Sequence, residues 1–302
     1  MNKTLVGIVT FGNTEFTKLA VKSIRETVTY PVDIFLVVGQ PGDSETLNWL
    51  FSEEDIKFIV HTENMGFPYS CNDIYDFAWK ENNYDEVIFM GNDVVVYPNA
   101  LDILIKQART TDYEWIGASQ FDVKTLVRMY PETKKWFHSD VLKFNAFDSG
   151  EPWKVHSGWP NNMDFVHDSF PEVHNLCLYK KSVFDKIGYN DVNFYPAYFE
   201  DNDYVRRGVN SKCKGCYMVN AVFFHFWSRT IHQGSGGSNS HFFENNRRYY
   251  LTKWGGPFAQ EKYLIPFNGN DYSLTNDLIL PGSLKIDSRK DELKIIAFWN
   301  KK

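Results

Sequence analysis

The chain has 302 residues, of which 43% are hydrophobic, 17% aromatic and 23% charged. That length fits one large α/β domain or a catalytic domain with a small appendage, and the balance excludes disordered and fibrous classes. With 32 basic and 38 acidic side chains the net charge is −6, so there is no broad basic footprint for duplex DNA or anionic lipid, only room for a local basic groove.

Leu5 to Thr10 is a short apolar, β-rich run, followed by a turn at Gly12-Asn13 and an amphipathic stretch with Phe16, Leu19, Ala20, Ser23 and Ile24 on one face, which predicts strand, loop and helix. Val32 to Val38 and Ile56 to Val60 read as buried strands around a helical Ser44 to Phe51 segment. Asn72 to Lys80 reads as a helix, Glu86 to Met90 as a fourth strand running into Gly91-Asn92-Asp93, and Asn99 to Ala108 as another helix. Alternating strands and helices predict a mostly parallel, Rossmann-like central sheet with helices on both faces. The stretch from about 120 to 170 has weak periodicity and many Trp, His, Asp and Pro residues, the mark of an irregular insertion carrying binding loops. Leu176 to Tyr179 is strand-like, Lys181 to Ile187 helix-like up to Gly188, Val219 to Phe226 β-rich, and Phe242 to Lys253 helical. Gly234 to Ser240 is a glycine-serine stretch that predicts a mobile loop.

The four cysteines are too few for a disulfide framework and point to a reducing compartment. Cys213 and Cys216 have CxxC spacing without a second such pair, and a strand-entry turn explains them better than zinc or redox chemistry. The opening residues carry too short an apolar stretch for a signal peptide, and no stretch approaches the ~18 apolar residues of a membrane span. A cytoplasmic protein without a membrane anchor is expected.

Ligands of open α/β sheets gather beyond the carboxyl ends of the strands, so Thr10, Phe11, Gln40, the Asn64 loop, Asn92 and Asp93 should line one rim. Asn92-Asp93, the acidic run Glu200, Asp201 and Asp203, and His225 together offer hard oxygen donors and one imidazole. Such a set accepts Mn2+ or Mg2+ and leaves positions for a diphosphate. Singly, each is also an ordinary structural residue: a turn aspartate, acids at a helix N-terminus, a core histidine. Arg229 and His232 immediately precede the Gly234 loop, whose closure would bring them to a diphosphate. Trp136, Trp153, Trp159 and Trp227 offer ring faces for a sugar or base, though most aromatics are core.

The order of these words resembles family-2-type glycosyltransferases of the GT-A fold, over most of residues 4–255. Val9-Thr10-Phe11-Gly12-Asn13 with Leu19 to Ile24 is similar to the family's opening strand and helix, and Asn64-Met65-Gly66 with Asn72 to its Asn-x-Gly word. Ile88 to Leu101 resembles its metal-binding strand end, with Asp93 in the place of the final acid of the Asp-x-Asp motif. Asn175 to Phe184 with Ile187-Gly188 resembles the acceptor-side segment, Tyr198 to Asp203 with Arg206 the acidic motif, and His225 the later metal-side histidine. Two positions depart from the pattern: Gly39-Gln40 stand where an acid usually helps hold the nucleoside, and Gly91 where the first acid of Asp-x-Asp would be.

The resemblance implies a GT-A-like domain over 1–256, with residues to about 110 forming the nucleotide-sugar half and about 111–256 the acceptor and catalytic half, followed by a C-terminal extension over 257–302. It implies a metal-dependent, inverting transferase with Asp93 and His225 on Mn2+ or Mg2+. Asp201 would be the general base, with Glu200 and Asp203 beside it. Donor contacts are expected at Thr10, Phe11, Asn13, Gln40, Asn64, Gly66, Asn72, Asn92, Arg229 and His232. The donor is a nucleotide-sugar, a UDP-sugar before others, and the acceptor a soluble glycan, a protein or a hydroxymethylated base in DNA. Some similar sequences look phage-borne, which would place the protein in a host cytoplasm. Two alternatives stay open: nucleotidyl transfer, against which Thr10 to Glu15 carries no Lys or Arg for a phosphate loop, and a sugar- or nucleotide-binding module without turnover. The C-terminal word Asn245, Tyr249 and Lys253-Trp254-Gly255-Gly256 recurs in some members of the family and has no role readable from physics.

Overall fold

The computed structural model describes residues 3–136, 151–155, 166–171, 175–226, 239–270 and 295–298. The chain opens with β1 (Thr4–Thr10), α1 (Thr14–Thr27), β2 (Val32–Val38), α2 (Ser44–Leu50), β3 (Ile56–His61) and α3 (Phe67–Tyr75), which runs on as a π-helical turn over Asp76–Glu81. There follow β4 (Glu86–Gly91), β5 (Val94–Val96), α4 (Ala100–Thr110), β6 (Trp115–Phe121), α5 (Val123–Met129), α6 (Pro152–Val155) and β7 (Val166–His167). The rest is β8 (Leu176–Lys180), α7 (Lys181–Ile187), α8 (Glu200–Asn210), β9 (Gly215–His225), α9 (Asn239–Trp254) and β10 (Ile295–Phe298).

These strands form one sheet in the order β10-β3-β2-β1-β4-β8-β6-β9-β5, with β7 also on β9. β3, β2, β1 and β4 are mutually parallel, consistent with a Rossmann-like half. Beyond them the pairing is mixed: β8 runs antiparallel to both β4 and β6, β6 and β9 are parallel, and β5, β7 and β10 are antiparallel additions. The expected mostly parallel sheet is therefore parallel in its first half and mixed as a whole. No sequence pattern told the direction of β8, because strands buried on both faces are apolar throughout in either direction.

The strands alternate their buried side chains between two cores, as a period of two requires. Val6, Ile8, Ile34, Leu36 and Val38 meet Ala20, Val21 and Ile24 of α1 and Leu101 and Leu104 of α4 on one face. Leu5, Val9, Phe35 and Val37 meet Ile74 and Tyr75 of α3, Val183 of α7 and Tyr204 of α8 on the other. α3 lies so close to β1 that a Cβ on Gly7 would stand 2.3 Å from Ile74 Cγ2, so only glycine fits there. Fixing α3 at this height sets the loop before it against the rim of the sheet.

Candidate functional site

The four parallel strands end at Thr10, Val38, His61 and Gly91, and after β3 the chain returns across β1 to place β4 on its other side. Such a reversal opens a crevice at the carboxyl ends of the strands. Three groups of side chains stand out, two at strand ends and one at the start of α8.

The first is a polar cleft of about 210 Å³ lined by Phe11, Gly12, Asn13, Thr14, Gln40, Asp43 and Glu45. Of the expected donor residues, Phe11, Asn13 and Gln40 open onto it. Asn13 stands in the left-handed region at φ 56°, immediately before α1. Its Nδ2 is buried without a hydrogen-bond partner among the described residues, and so is Oδ2 of Asp43. Asp43 is buried because its other oxygen caps α2, accepting from the Thr46 backbone N–H at 3.1 Å. Both residues line the cleft, so an unsatisfied donor and an unsatisfied acceptor lie just beneath its surface, within reach of a polar ligand once the wall shifts. Reading the sequence for an acid directly after β2 overlooked Asp43; its one signal was a capping residue before Ser44.

Thr10 and Asn92 do not face this cleft. Both are buried, and Thr10 Oγ1 lies 2.9 Å from Thr17 Oγ1, with Asn92 Nδ2 donating to Thr17 Oγ1 at 3.3 Å. They join β1, α1 and the β4 end from inside.

The second group is Asp93 with His225. β5 pairs antiparallel with β9, which sets His225 opposite Val94 and brings His225 Nε2 to 3.1 Å from Asp93 Oδ1. Asn175 Nδ2 lies 3.2 Å from His225 Nδ1, and the Asn175 carbonyl accepts the Gly91 N–H at 3.0 Å. Asn175 was part of a recognised sequence word but had been given no role. Among the described residues no group of three or more His, Cys, Asp and Glu gathers as a metal site. A divalent ion bound here would find two ligands among the described residues, a carboxylate and an imidazole. The donor set suits Mn2+ or Mg2+ if a ligand's phosphate oxygens and water supply the rest. Holding the ion requires Nε2 to present its lone pair, so Nδ1 must carry the proton and the Asn175 amide must turn its oxygen toward it.

The third group is the acidic motif at the start of α8. Tyr198 and Phe199 precede it with φ of 85° and 69°. Glu200 is buried, and its Oε2 has no hydrogen-bond partner among the described residues. Burial and then the neighbouring Asp201 carboxylate push the Glu200 carboxyl well above the ordinary range. Asp201 is half-buried, and burial raises its carboxyl too, against the Asn202 N–H donated to Oδ1 at 2.7 Å. Burial raises both carboxyls, and the charge of Asp201 further opposes ionisation of Glu200.

Asp203 has a different place. It is fully buried, with Oδ1 accepting from Trp254 Nε1 at 2.9 Å and Lys253 Nζ at 2.6 Å, and Oδ2 from Arg207 Nε at 2.9 Å. Both oxygens are engaged by donors, so Asp203 anchors α8.

Asn64, Gly66 and Asn72 link the rim to the acidic motif. Asn64 Oδ1 accepts the Gly66 N–H at 3.0 Å. Gly66 has φ 82°, and a Cβ there would meet Tyr195 Cδ2 at 2.8 Å and the Pro196 carbonyl at 3.1 Å. Asn72 clips the backbone of Asn190, accepting its N–H at 2.8 Å and donating to its carbonyl at 3.0 Å. Phe11 and Ser70 both lie against Gly39, and Ser70 Oγ donates to the Gly66 carbonyl at 2.9 Å. A continuous path of contacts thus runs from the cleft to the loop before Glu200.

Arg229, His232, Trp159, Trp227 and the run from Gly234 to Gly237 lie outside the described residues, as does the side chain of Trp136. Trp153 is a core residue whose Nε1 donates to Glu26 at 2.7 Å. Cys213 and Cys216 are free, buried thiols at the entry to β9, and burial pushes them up to about 11 and about 12. No helix among the described residues is long and apolar enough to cross a membrane. A scan against protein-family models finds no match, and no curated protein matches the chain.

Proposed function

We propose that the protein is a glycosyltransferase of the GT-A fold that moves a sugar from a nucleotide-diphosphate sugar to an acceptor hydroxyl, with inversion. One observation carries this reading. The polar cleft and Asp93, with its partner His225, lie at loops leaving the carboxyl ends of parallel strands, where such a sheet binds nucleotides, and a path of contacts leads from the cleft to the loop before Glu200.

The cleft would take the nucleoside, with Asn13 Nδ2 as donor and Asp43 Oδ2 as acceptor, in place of the acid missing after β2. Asp93 and His225 would hold Mn2+ or Mg2+, which when bound would neutralise the departing diphosphate. Asp201 accepts the proton of the acceptor hydroxyl as its oxygen bonds to the anomeric carbon. The bond from that carbon to the diphosphate oxygen breaks, and its electron pair leaves with the diphosphate. Glu200, raised first by burial and then by Asp201, resists ionisation and so leaves Asp201 as the more readily ionised member of the pair. A soluble glycan, a protein or a hydroxymethylated base in DNA all supply a suitable hydroxyl.

The test is nucleotide release from UDP-, GDP- and dTDP-sugars with Mn2+, with Mg2+ and with chelator. Metal-dependent release from one donor, enhanced by an acceptor, is expected. A protein that binds none of these nucleotides with either metal contradicts the proposal.

A further inference from the structure

The C-terminal word left without a role sits on α9, and its polar side chains are turned into the protein. Asn246 is buried and its Nδ2 faces four backbone carbonyls, of Ala197 at 2.8 Å, Phe194 at 3.0 Å, Tyr195 at 3.2 Å and Tyr198 at 3.4 Å. Lys253 is 5% exposed, with Nζ 2.7 Å from Asp191 Oδ2 and 2.6 Å from Asp203 Oδ1. Tyr249 donates to the same Asp191 oxygen at 2.7 Å, and Trp254 to Asp203 at 2.9 Å. One cation therefore holds both flanks of the segment that carries Glu200 and Asp201. Phe199, the residue before Glu200, packs on Phe243 and Tyr250 of the same helix.

We infer that α9 is a clamp that positions the carboxyl pair, with Asn246, Lys253 and Trp254 as positioning residues acting through the backbone of 194–198 and through Asp203. This rests on the reading of Asp201 as the base. The physical need is local. Tyr198 and Phe199 both stand in the left-handed region, which strains a non-glycine residue and persists only where surroundings over-determine it. Neither residue is glycine, so the conformation that aims α8 at the rim has to be held from outside. Asn246 does this at the carbonyls and Phe243 and Tyr250 at the ring. A helix serving stability alone would bury an apolar stripe; α9 also buries Asn245, Asn246 and Lys253.

The test uses the full chain with Asn246→Ala and Trp254→Phe, which remove the donors and leave Lys253 between its two carboxylates. Two readouts are taken: steady-state nucleotide release with Mn2+, and hydrogen exchange of the backbone amides of 198–203. The clamp predicts that kcat falls on the order of 10²-fold, as misplacement of a reacting group by about 1 Å does. KM for the donor and UDP affinity by calorimetry stay within about twofold, and the 198–203 amides lose protection. Unchanged kcat, or unchanged protection at 198–203, overturns the clamp. So does a fall in kcat matched by equal losses of nucleotide affinity and of folded protein. The two ideas fail separately. A wild type that binds no nucleotide overturns the transferase reading and the positioning role with it, whereas normal metal-dependent turnover with insensitive variants overturns the positioning role alone.

Discussion

Replacing Lys253 by methionine keeps the volume of the side chain and removes its charge. In the native protein Lys253 is the buried cation shared by a half-buried carboxylate, Asp191 at 2.7 Å, and a fully buried one, Asp203 at 2.6 Å. Asp203 would retain Arg207 and Trp254. Asp191 would keep hydrogen bonds from Tyr249 and from the backbone and side chain of Asn193, with the charge of Arg207 farther off. Burial alone would raise the Asp191 carboxyl, but the charge and hydrogen bond of Lys253, with help from Tyr249, hold it well below the usual carboxylate range. Removing one partner of a buried pair costs about 3–5 kcal/mol, mostly through the charge left uncompensated, which for a chain of this size lowers Tm on the order of 10 °C. A carboxylate with a depressed folded pKa contributes stability above its unfolded value of about 3.9 and loses it as pH falls. The deficit of Lys253→Met is therefore full at pH 7 and shrinks below about pH 4. Thermal unfolding at both pH values, with the double variant Asp191→Asn/Lys253→Met, checks the reasoning. The double variant is expected to recover part of the loss, since it removes the orphaned charge. A single variant within about 1 kcal/mol of wild type, or a double variant less stable than the single, would refute it.

Further expectations concern the rim. Asp201→Asn should lower turnover by about 10²–10⁴-fold while UDP binding is kept; full turnover in this variant would rule out Asp201 as the base. Because Asp201 must lose its proton to act and its carboxyl is raised by burial, the wild-type rate should climb with pH along a limb above the ordinary carboxylate range. That limb should vanish from the residual rate of the variant. Glu200, raised first by burial and then by Asp201, opposes folding once the unfolded chain ionises. Glu200→Gln should thus raise Tm at pH 7, with the gap closing below about pH 4; a gap independent of pH would show that the carboxyl is not held neutral. Asp43→Asn should weaken UDP binding about tenfold in calorimetry, as loss of a charged acceptor does, and equal affinity would remove Asp43 from the nucleoside site.

Much of the first half was legible because buried parallel strands read as short apolar runs between turn residues, as in Val32 to Val38. α3 begins at Phe67 rather than Asn72, since Pro68 in its first turn suits a helix start and Gly66 supplies the left-handed entry. β5, β6 and β7 went unread, two of them being too short to show a period. Of the site, Asp93 and His225 were named from their donor chemistry and from the order of sequence words, and it is the β5–β9 pairing that brings them together. Thr10, Asn92 and Asn72, expected at the donor, are buried and hydrogen-bonded within the scaffold, a placement that a polar residue type alone does not reveal. The Lys253 cluster was illegible for a different reason: a buried cation and its carboxylates come from distant segments and leave no spacing to recognise.

The central claim is that this rim binds a nucleotide diphosphate through a divalent ion held by Asp93 and His225. Calorimetric titration of UDP, GDP and dTDP into the wild type and Asp93→Ala, with Mn2+ and with chelator, tests it without needing the acceptor. Binding of one nucleotide that requires Mn2+ and is lost in Asp93→Ala is expected. Binding that survives both chelator and the substitution, or no binding of any of the three, would contradict it.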